Sequence, residues 1–209
     1  MKKYKLDFIK RQLKKPLPGW EAQKLMAPTF REEEIKQAGR AKLKSRKSAV
    51  LILLYEKKGQ FYVPFIRRSE YKGVHSGQIS LPGGQFEETD SSFENTARRE
   101  TEEEIGISRD EIVILGQISD LYIPPSNFLV KPFVGYLSKN PEFITDPTEV
   151  QKLIEIPLAA FYAENVIGKK DFISSSTHRT KKAPYYEVNN VEIWGATAMI
   201  ISELLEIIR

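Results

Sequence analysis

The sequence predicts an α/β fold, a mixed β-sheet covered by helices on both faces. Three observations predict it. A continuous apolar run, Ala49-Val-Leu-Ile-Leu-Leu-Tyr55, reads as a buried strand. Strand-like segments stand on either side of one helical pattern that runs from Asp90 to Gly106. A second amphipathic helix closes the chain, with Ala198, Ile201, Leu205 and Ile208 on its apolar face.

Taken in order, residues 1–47 read as a basic N-terminal extension, helical and packed on the core, and residues 48–209 as the main unit. In the extension, Leu6, Ile9 and Leu13 recur at helical spacing, and Pro16, Pro18 and Gly19 then break the chain. A second short helix begins at Thr29, where Thr29 and Glu32 suit a capping box, and stops at Gly39. Phe8, Trp20 and Phe30 read as packing residues.

The Ala49–Tyr55 strand turns at Lys57-Lys58-Gly59 into an alternating strand over 60–67, which makes a hairpin. A glycine-rich loop leads to Gln78-Ile-Ser-Leu81 and a break at Pro82-Gly83-Gly84. After the helix, strands are predicted over 112–118, 129–137 and 153–156, and a last one over 185–194 precedes the closing helix.

Composition narrows the function classes. The 209 residues, 41% hydrophobic, suit one compact domain with an extension. Cysteine is absent, which excludes disulfides, thiolate zinc sites and iron–sulfur clusters. With His75 and His178 the only histidines, any metal must be held mainly by oxygen, which points to Mg2+ or Mn2+. No apolar run spans a membrane and no secretion signal is read, so a cytoplasmic protein without membrane contact is expected. Residues 1–50 hold fifteen Lys or Arg against five Asp or Glu, a net +10 in a chain of net +4, which leaves −6 for the rest. Such an arm can meet nucleic acid, but a solvated basic face is the commoner meaning, and no nucleic-acid partner is expected. A monomer or homodimer is expected.

The informative stretch is the central helix. Ser91 with Glu94 suits a capping box, and Gly106 a left-handed C-terminal cap. Phe93, Ala97, Thr101 and Ile105 recur every four residues as an inward stripe. Glu100, Glu103 and Glu104 fall at i, i+3 and i+4, so their carboxylates share a face. Like charges at that spacing repel; Arg99 can offset part of the repulsion and a divalent cation the rest. A solvated acidic face is the plainer alternative, and what tips the balance is the glycine pair upstream, which lets backbone approach a ligand.

These residues resemble the Nudix family. Gly84 and Arg99-Glu100-Thr101-Glu102-Glu103-Glu104-Ile105-Gly106-Ile107 look like the Nudix box, Gly-x5-Glu-x7-Arg-Glu-U-x-Glu-Glu-x-Gly-U with U aliphatic. Thr101 fills an aliphatic slot, and the Gly84-to-Arg99 gap is one residue longer than the general pattern, with Asp90 the nearest early carboxylate. Both departures resemble the coenzyme A pyrophosphatase branch. Its upstream signature is similar to Arg67-Arg68-Ser69 and Gly77-Gln78-Ile79-Ser80-Leu81-Pro82-Gly83-Gly84, and Glu87, Asp90 and Thr96-Ala97 also fit. Phe128-x-Val130-x-Pro132-x-Val134-Gly135 and Trp194-Gly195-Ala196-Thr197-Ala198 resemble its later motifs. Gly73 stands where that signature has a second arginine. The resemblance covers roughly residues 48–205 and leaves the basic extension unexplained.

The resemblance implies a Nudix-like α/β/α sandwich and a metal-dependent hydrolase of a small-molecule nucleoside diphosphate derivative. Glu100 and Glu104 become the expected ligands of Mg2+ or Mn2+, with Glu103 third and the Gly84 carbonyl a further one. Water would attack one phosphorus of a diphosphate, while the metals lower its pKa and absorb charge on the leaving oxygen. Arg99 would hold the glutamates in place. Glu149, in Asp146-Pro-Thr-Glu-Val before a strand, is the candidate general base, with a solvated loop residue as the alternative. Arg67 and Arg68 are candidate phosphate contacts, although strand neighbours point opposite ways. Gly83 and His75 are further candidates for substrate contact; a loop hydrogen-bonder is the plainer reading of His75. His178-Arg179 with Lys181-Lys182 could meet an extra phosphate, or form an exposed basic loop. The expected reaction converts coenzyme A or a thioester of it to 3′,5′-ADP and a 4′-phosphopantetheine product. Alternatives are the same chemistry on ADP-ribose, a dinucleotide or a sugar nucleotide, and a non-catalytic nucleotide-sensing module.

Overall fold

The computed structural model describes residues 5–29, 31–69, 77–173 and 180–209. Phe30, Gly73, His75, His178 and Arg179 lie outside the described residues.

Strand β1, Arg46–Lys57, is the centre of the fold. It forms a hairpin with β2, Gln60–Arg68, and runs parallel to β7, Phe128–Leu137. An eight-stranded sheet in the order β3-β2-β1-β7-β5 results, with β3 at Ile79–Ser80 and β5 at Val113–Gln117. Three further strands join it by antiparallel pairing: β4, Gly83–Gln85, on β1; β6, Leu121–Ile123, on β7; and β8, Val150–Pro157, on β2. One parallel pairing among antiparallel ones makes the sheet mixed.

The uninterrupted apolar run of β1 is explained by burial on both faces. Ala49, Leu51, Leu53 and Tyr55 enter one cluster with Ala97 and Ile105 of helix α4, Phe93–Ile105. Ile52 and Leu54 enter the other, with Ala198, Ile201 and Leu205 of α5, Gly195–Ile207. Alternate side chains of a strand point to opposite faces, so a two-sided core demands apolar residues at every position. The α/β/α sandwich with a mixed sheet is therefore present.

Among the described residues the extension carries three α-helices, not two: α1, Leu6–Gln12; α2, Trp20–Gln23; and α3, Arg31–Ala38. Ile9, Leu13 and Met26 are buried in the same cluster as α5. A polar contact fixes the dock. The fully buried carboxylate of Glu203 on α5 accepts from Gly19 N at 3.2 Å, Gln23 Nε2 at 2.7 Å and Ser119 N at 3.2 Å. A buried charge is tolerated when its oxygens are satisfied in this way.

Local expectations fail where a long-range partner wins. Thr29 does not form a capping box with Glu32, because its hydroxyl and amide both donate to the Lys182 carbonyl, at 2.7 and 2.9 Å. On α4 the cap is Ser92, whose hydroxyl accepts from Asn95 N, and Ser91 bonds the Asn95 side chain instead. Pro82-Gly83-Gly84 is no simple break, since Gly83 and Gly84 pair with Val50 and Ala49. The expected last strand is a hairpin, β10, Thr180–Val188, and β11, Val191–Trp194, joined at Asn189 and Asn190, both with positive φ. A two-residue hairpin turn of this kind needs positive φ at both positions, which asparagine tolerates better than most residues. With β9, Ile167–Ile173, the hairpin forms a second, three-stranded sheet. No helix among the described residues is long and apolar enough to cross a membrane.

Candidate active site

The site forms where β4 is pressed between β1 and α4. Gly83 has φ +149°, and a Cβ there would stand 2.4 Å from the Ala49 carbonyl oxygen. A Cβ on Gly84 would stand 2.3 Å from the Glu100 carboxylate. Two glycines are thus what lets this backbone lie directly on the acidic face of α4. Thr101, in a slot where an aliphatic residue was expected, is fully buried and donates to the Ala97 carbonyl at 2.7 Å, which satisfies its hydroxyl inside the helix.

Glu104 is the most enclosed of the clustered glutamates, at 0% exposure. It accepts from Gly83 N at 2.8 Å and from Arg68 Nη1 at 3.1 Å. Burial raises its pKa to about 8, against the opposing pull of Arg68 and the Gly83 amide. Burial also raises the pKa of Glu100, which Arg99 partly offsets. The charge of Glu149 adds to both shifts, which places it electrostatically in the cluster; its carboxylate lies 3.9 Å from Arg68 Nη2 and is half-exposed.

Arg99 is the clamp. It donates to both oxygens of Asp90 at 2.9 and 3.0 Å, to Glu100 at 2.9 Å, to Glu103 at 2.8 Å and to the Gln85 carbonyl at 3.1 Å. Those hydrogen bonds, first of all, hold the Asp90 carboxyl down at about 2 and push the Arg99 guanidinium above its ordinary value. Asp90 also accepts from the buried Thr96 hydroxyl at 2.9 Å. Asp90, which stands at the early acidic position of the motif, is therefore the anchor of Arg99. Sequence spacing did not show it, because a nine-residue separation across a turn carries no periodicity.

These two acids make opposite contributions to stability. Asp90, depressed to about 2, stabilises the fold above pH ~4 and loses that effect only as pH falls through 2. Glu104, raised to about 8, favours the folded state while protonated, and the contribution disappears as pH climbs from ~4 through 8. Protein freed of divalent cations should therefore show a melting temperature that falls between pH 5 and 9. Glu104→Gln should flatten that slope; equal slopes in variant and parent would contradict the burial of a protonated Glu104.

The structure brings Arg68, Gly83, Gly84, Arg99, Glu100, Glu103 and Glu104 together, with Glu149 at the margin. Arg67 makes no hydrogen bond or ion pair with the glutamates, whereas Arg68, its strand neighbour, spends its guanidinium on Glu104. His75 lies outside the described residues. The donor set suits a hard divalent cation: carboxylates of Glu100, Glu103 and Glu104, and glycine backbone where a Cβ would fill the cradle. As arranged, Arg99 and Arg68 occupy carboxylate oxygens, and no three acidic or histidine side chains among the described residues are grouped as an ion cage.

Beside the glycine pair opens a cavity of about 470 Å3, lined by Arg31, Arg46, Arg68, Phe128 and Trp194 among others. A cavity of this size suits a nucleotide-sized ligand. Arg31 and Arg46 were not foreseen as site residues, since nothing in the local pattern of the extension says where its helices dock.

Comparison with known proteins agrees with this architecture. The NUDIX domain family matches residues 45–174. The uncharacterized Nudix hydrolase NudL of Yersinia enterocolitica is 36% identical over 140 residues, 67% of this chain and 70% of that protein. Its namesake in Photorhabdus laumondii is 34% identical over 140 residues, 67% of this chain and 73% of that protein. Among solved structures, a MutT/nudix family protein from Enterococcus faecalis aligns with a TM-score of 0.52 at 16% identity, covering 85% of this chain and 73% of that one. With its glutamate helix lying on a glycine strand inside a mixed sheet, this chain belongs to the Nudix family.

Proposed function

We propose that this Nudix protein hydrolyses the diphosphate bond of coenzyme A or its thioesters, releasing 3′,5′-ADP and a 4′-phosphopantetheine product. One observation carries the choice of substrate. Three segments that resemble the coenzyme A branch, Gln78–Gly84, Phe128–Val130 and Trp194–Thr197, are far apart in sequence yet all contribute to the wall of the 470 Å3 cavity. Their proximity to Arg68 and the glutamate cluster supports a role in holding one substrate.

Glu100, Glu103 and Glu104, with the Gly84 carbonyl, would hold Mg2+ or Mn2+. When bound, the cation supplies positive charge against the diphosphate oxygens and makes water more acidic. Glu149, half-exposed and in the field of Glu100 and Glu104, is the general base that removes the proton from the attacking water. The new P–O bond forms as the bridging P–O bond breaks, and the leaving phosphate takes the electron pair. Arg99 keeps Glu100 and Glu103 from splaying apart, and Arg68 with the Gly83 amide fixes Glu104. Arg67 and Gly83 remain candidates for contact with the diphosphate. Residues 1–47 act as an extension docked on the catalytic unit, 48–209, through Glu203.

The test is a product assay with Mg2+ or Mn2+, in which coenzyme A, ADP-ribose, NADH and a diadenosine polyphosphate are offered in parallel. Release of 3′,5′-ADP from coenzyme A at least about tenfold faster than cleavage of the others is expected. Cleavage of another compound with coenzyme A untouched would overturn the substrate. No cleavage at all would replace hydrolysis by nucleotide sensing.

A further inference from the structure

Four buried side-chain polar atoms lack a hydrogen-bond partner among the described residues, and three of them belong to residues that line the cavity: Arg31 Nε, Ser80 Oγ and Ser126 Oγ. Buried polar atoms are almost always satisfied, so three in one place point to an absent ligand. Arg31 and Ser126 are each only 7% exposed. Among the described residues, the carboxylate that pairs with Arg31 is Glu34, which stands 3.6 Å from Nε, too long for a hydrogen bond. A buried guanidinium so weakly partnered calls for an anion.

Other parts of the cavity wall are electropositive as well. Arg46 donates to the Ser126 carbonyl at 2.9 Å and its guanidinium stacks on Phe128 at 4.0 Å. The amino end of α5 has no side-chain cap, and Gly195, Ala196 and Thr197 line the cavity. Trp194, stacked on Phe172 with centroids 4.2 Å apart, adds an aromatic wall. Arg46 lies three residues along β1 from Ala49, the partner of Gly84, so its backbone stands about 10 Å from the glycine pair. That is the scale of a nucleoside.

We propose that Arg31, Ser126 and the amino end of α5 form a second anion station, which takes a phosphomonoester carried on the nucleoside of the substrate. The basic extension is then a wall of the substrate cavity, and Arg31 is a specificity-determining residue. This reading rests on hydrolysis at the glutamate cluster only for its choice of ligand.

Binding of 3′,5′-ADP and of 5′-AMP to the full chain, without divalent cations, should be compared by calorimetry. The two ligands differ by one phosphomonoester. The bisphosphate is expected to bind about tenfold more tightly or better, with the difference reduced to within about threefold in Arg31→Gln and partly kept in Arg31→Lys. Equal affinities, or no binding of either nucleotide, for the unaltered protein would overturn the station, and that comparison needs no variant to fold. An undiminished preference in Arg31→Gln would overturn the part given to Arg31. Hydrolysis of coenzyme A without the bisphosphate preference sinks this inference alone; the preference without hydrolysis sinks the enzymatic reading and keeps the station.

Discussion

Replacing Glu104 by Gln is expected to lower kcat on the order of 10^3-fold while the fold survives. Gln has the size of Glu, and its carbonyl can still accept from Gly83 N, so β4 stays on the helix. What disappears is the one carboxyl at the most buried point of the cluster that can ionise when a cation is present, along with the attraction of Arg68. Under the proposed chemistry that charge holds a divalent cation against the diphosphate, and no neighbouring acid can move in to replace it: Glu100 and Glu103 are tied to Arg99. Steady-state turnover over a range of Mg2+ concentrations, with circular dichroism as the fold control, makes the measurement. Turnover within threefold of the parent would remove Glu104 from the reaction.

Gly83→Ala should cost more than about 3 kcal/mol of stability, far above the usual price of adding a methyl group. The new Cβ would stand 2.4 Å from the Ala49 carbonyl oxygen and 2.6 Å from Val50 Cα, both backbone atoms of the central strand, which cannot step aside. The backbone at φ +149° is also one that alanine rarely adopts. Strand β4 would have to leave β1, taking with it the Gly83 amide that donates to Glu104. A denaturation midpoint shifted strongly downward, with activity lost, is the expected result; a variant as stable as the parent would show that β4 does not lie against β1 as described. Gly84→Ala is a milder counterpart, because there the clash is with the mobile end of a side chain, Glu100.

The parts of this protein that could be read from its sequence are those governed by local geometry. Three glutamates at i, i+3 and i+4 share a helix face whatever surrounds them, and an apolar run as long as Ala49–Tyr55 has to be buried on both sides. The αL stop at Gly106, with φ +72°, follows from having no Cβ. The parts that could not be read depend on contacts between distant segments. Thr29 gives up a local cap because Lys182 offers a carbonyl 153 residues away. Asn189 and Asn190 tolerate the positive φ that a tight turn needs, but the separate sheet to which that turn belongs depends on pairing with the distant β9.

By itself, then, the sequence determined a hard-oxygen cluster on one helix, a glycine pair before it and a mixed, doubly covered sheet, because each rests on spacing within one or two elements. Only the tertiary structure decided what those charges do to one another. It turned Asp90 into the anchor of Arg99, gave Arg68 rather than Arg67 to Glu104, and buried Arg31 of the extension in the wall of the cavity. The physical reason is that the energy of a charge is set by its depth from water and its nearest partner, and both are fixed only when segments far apart in the chain close on one another.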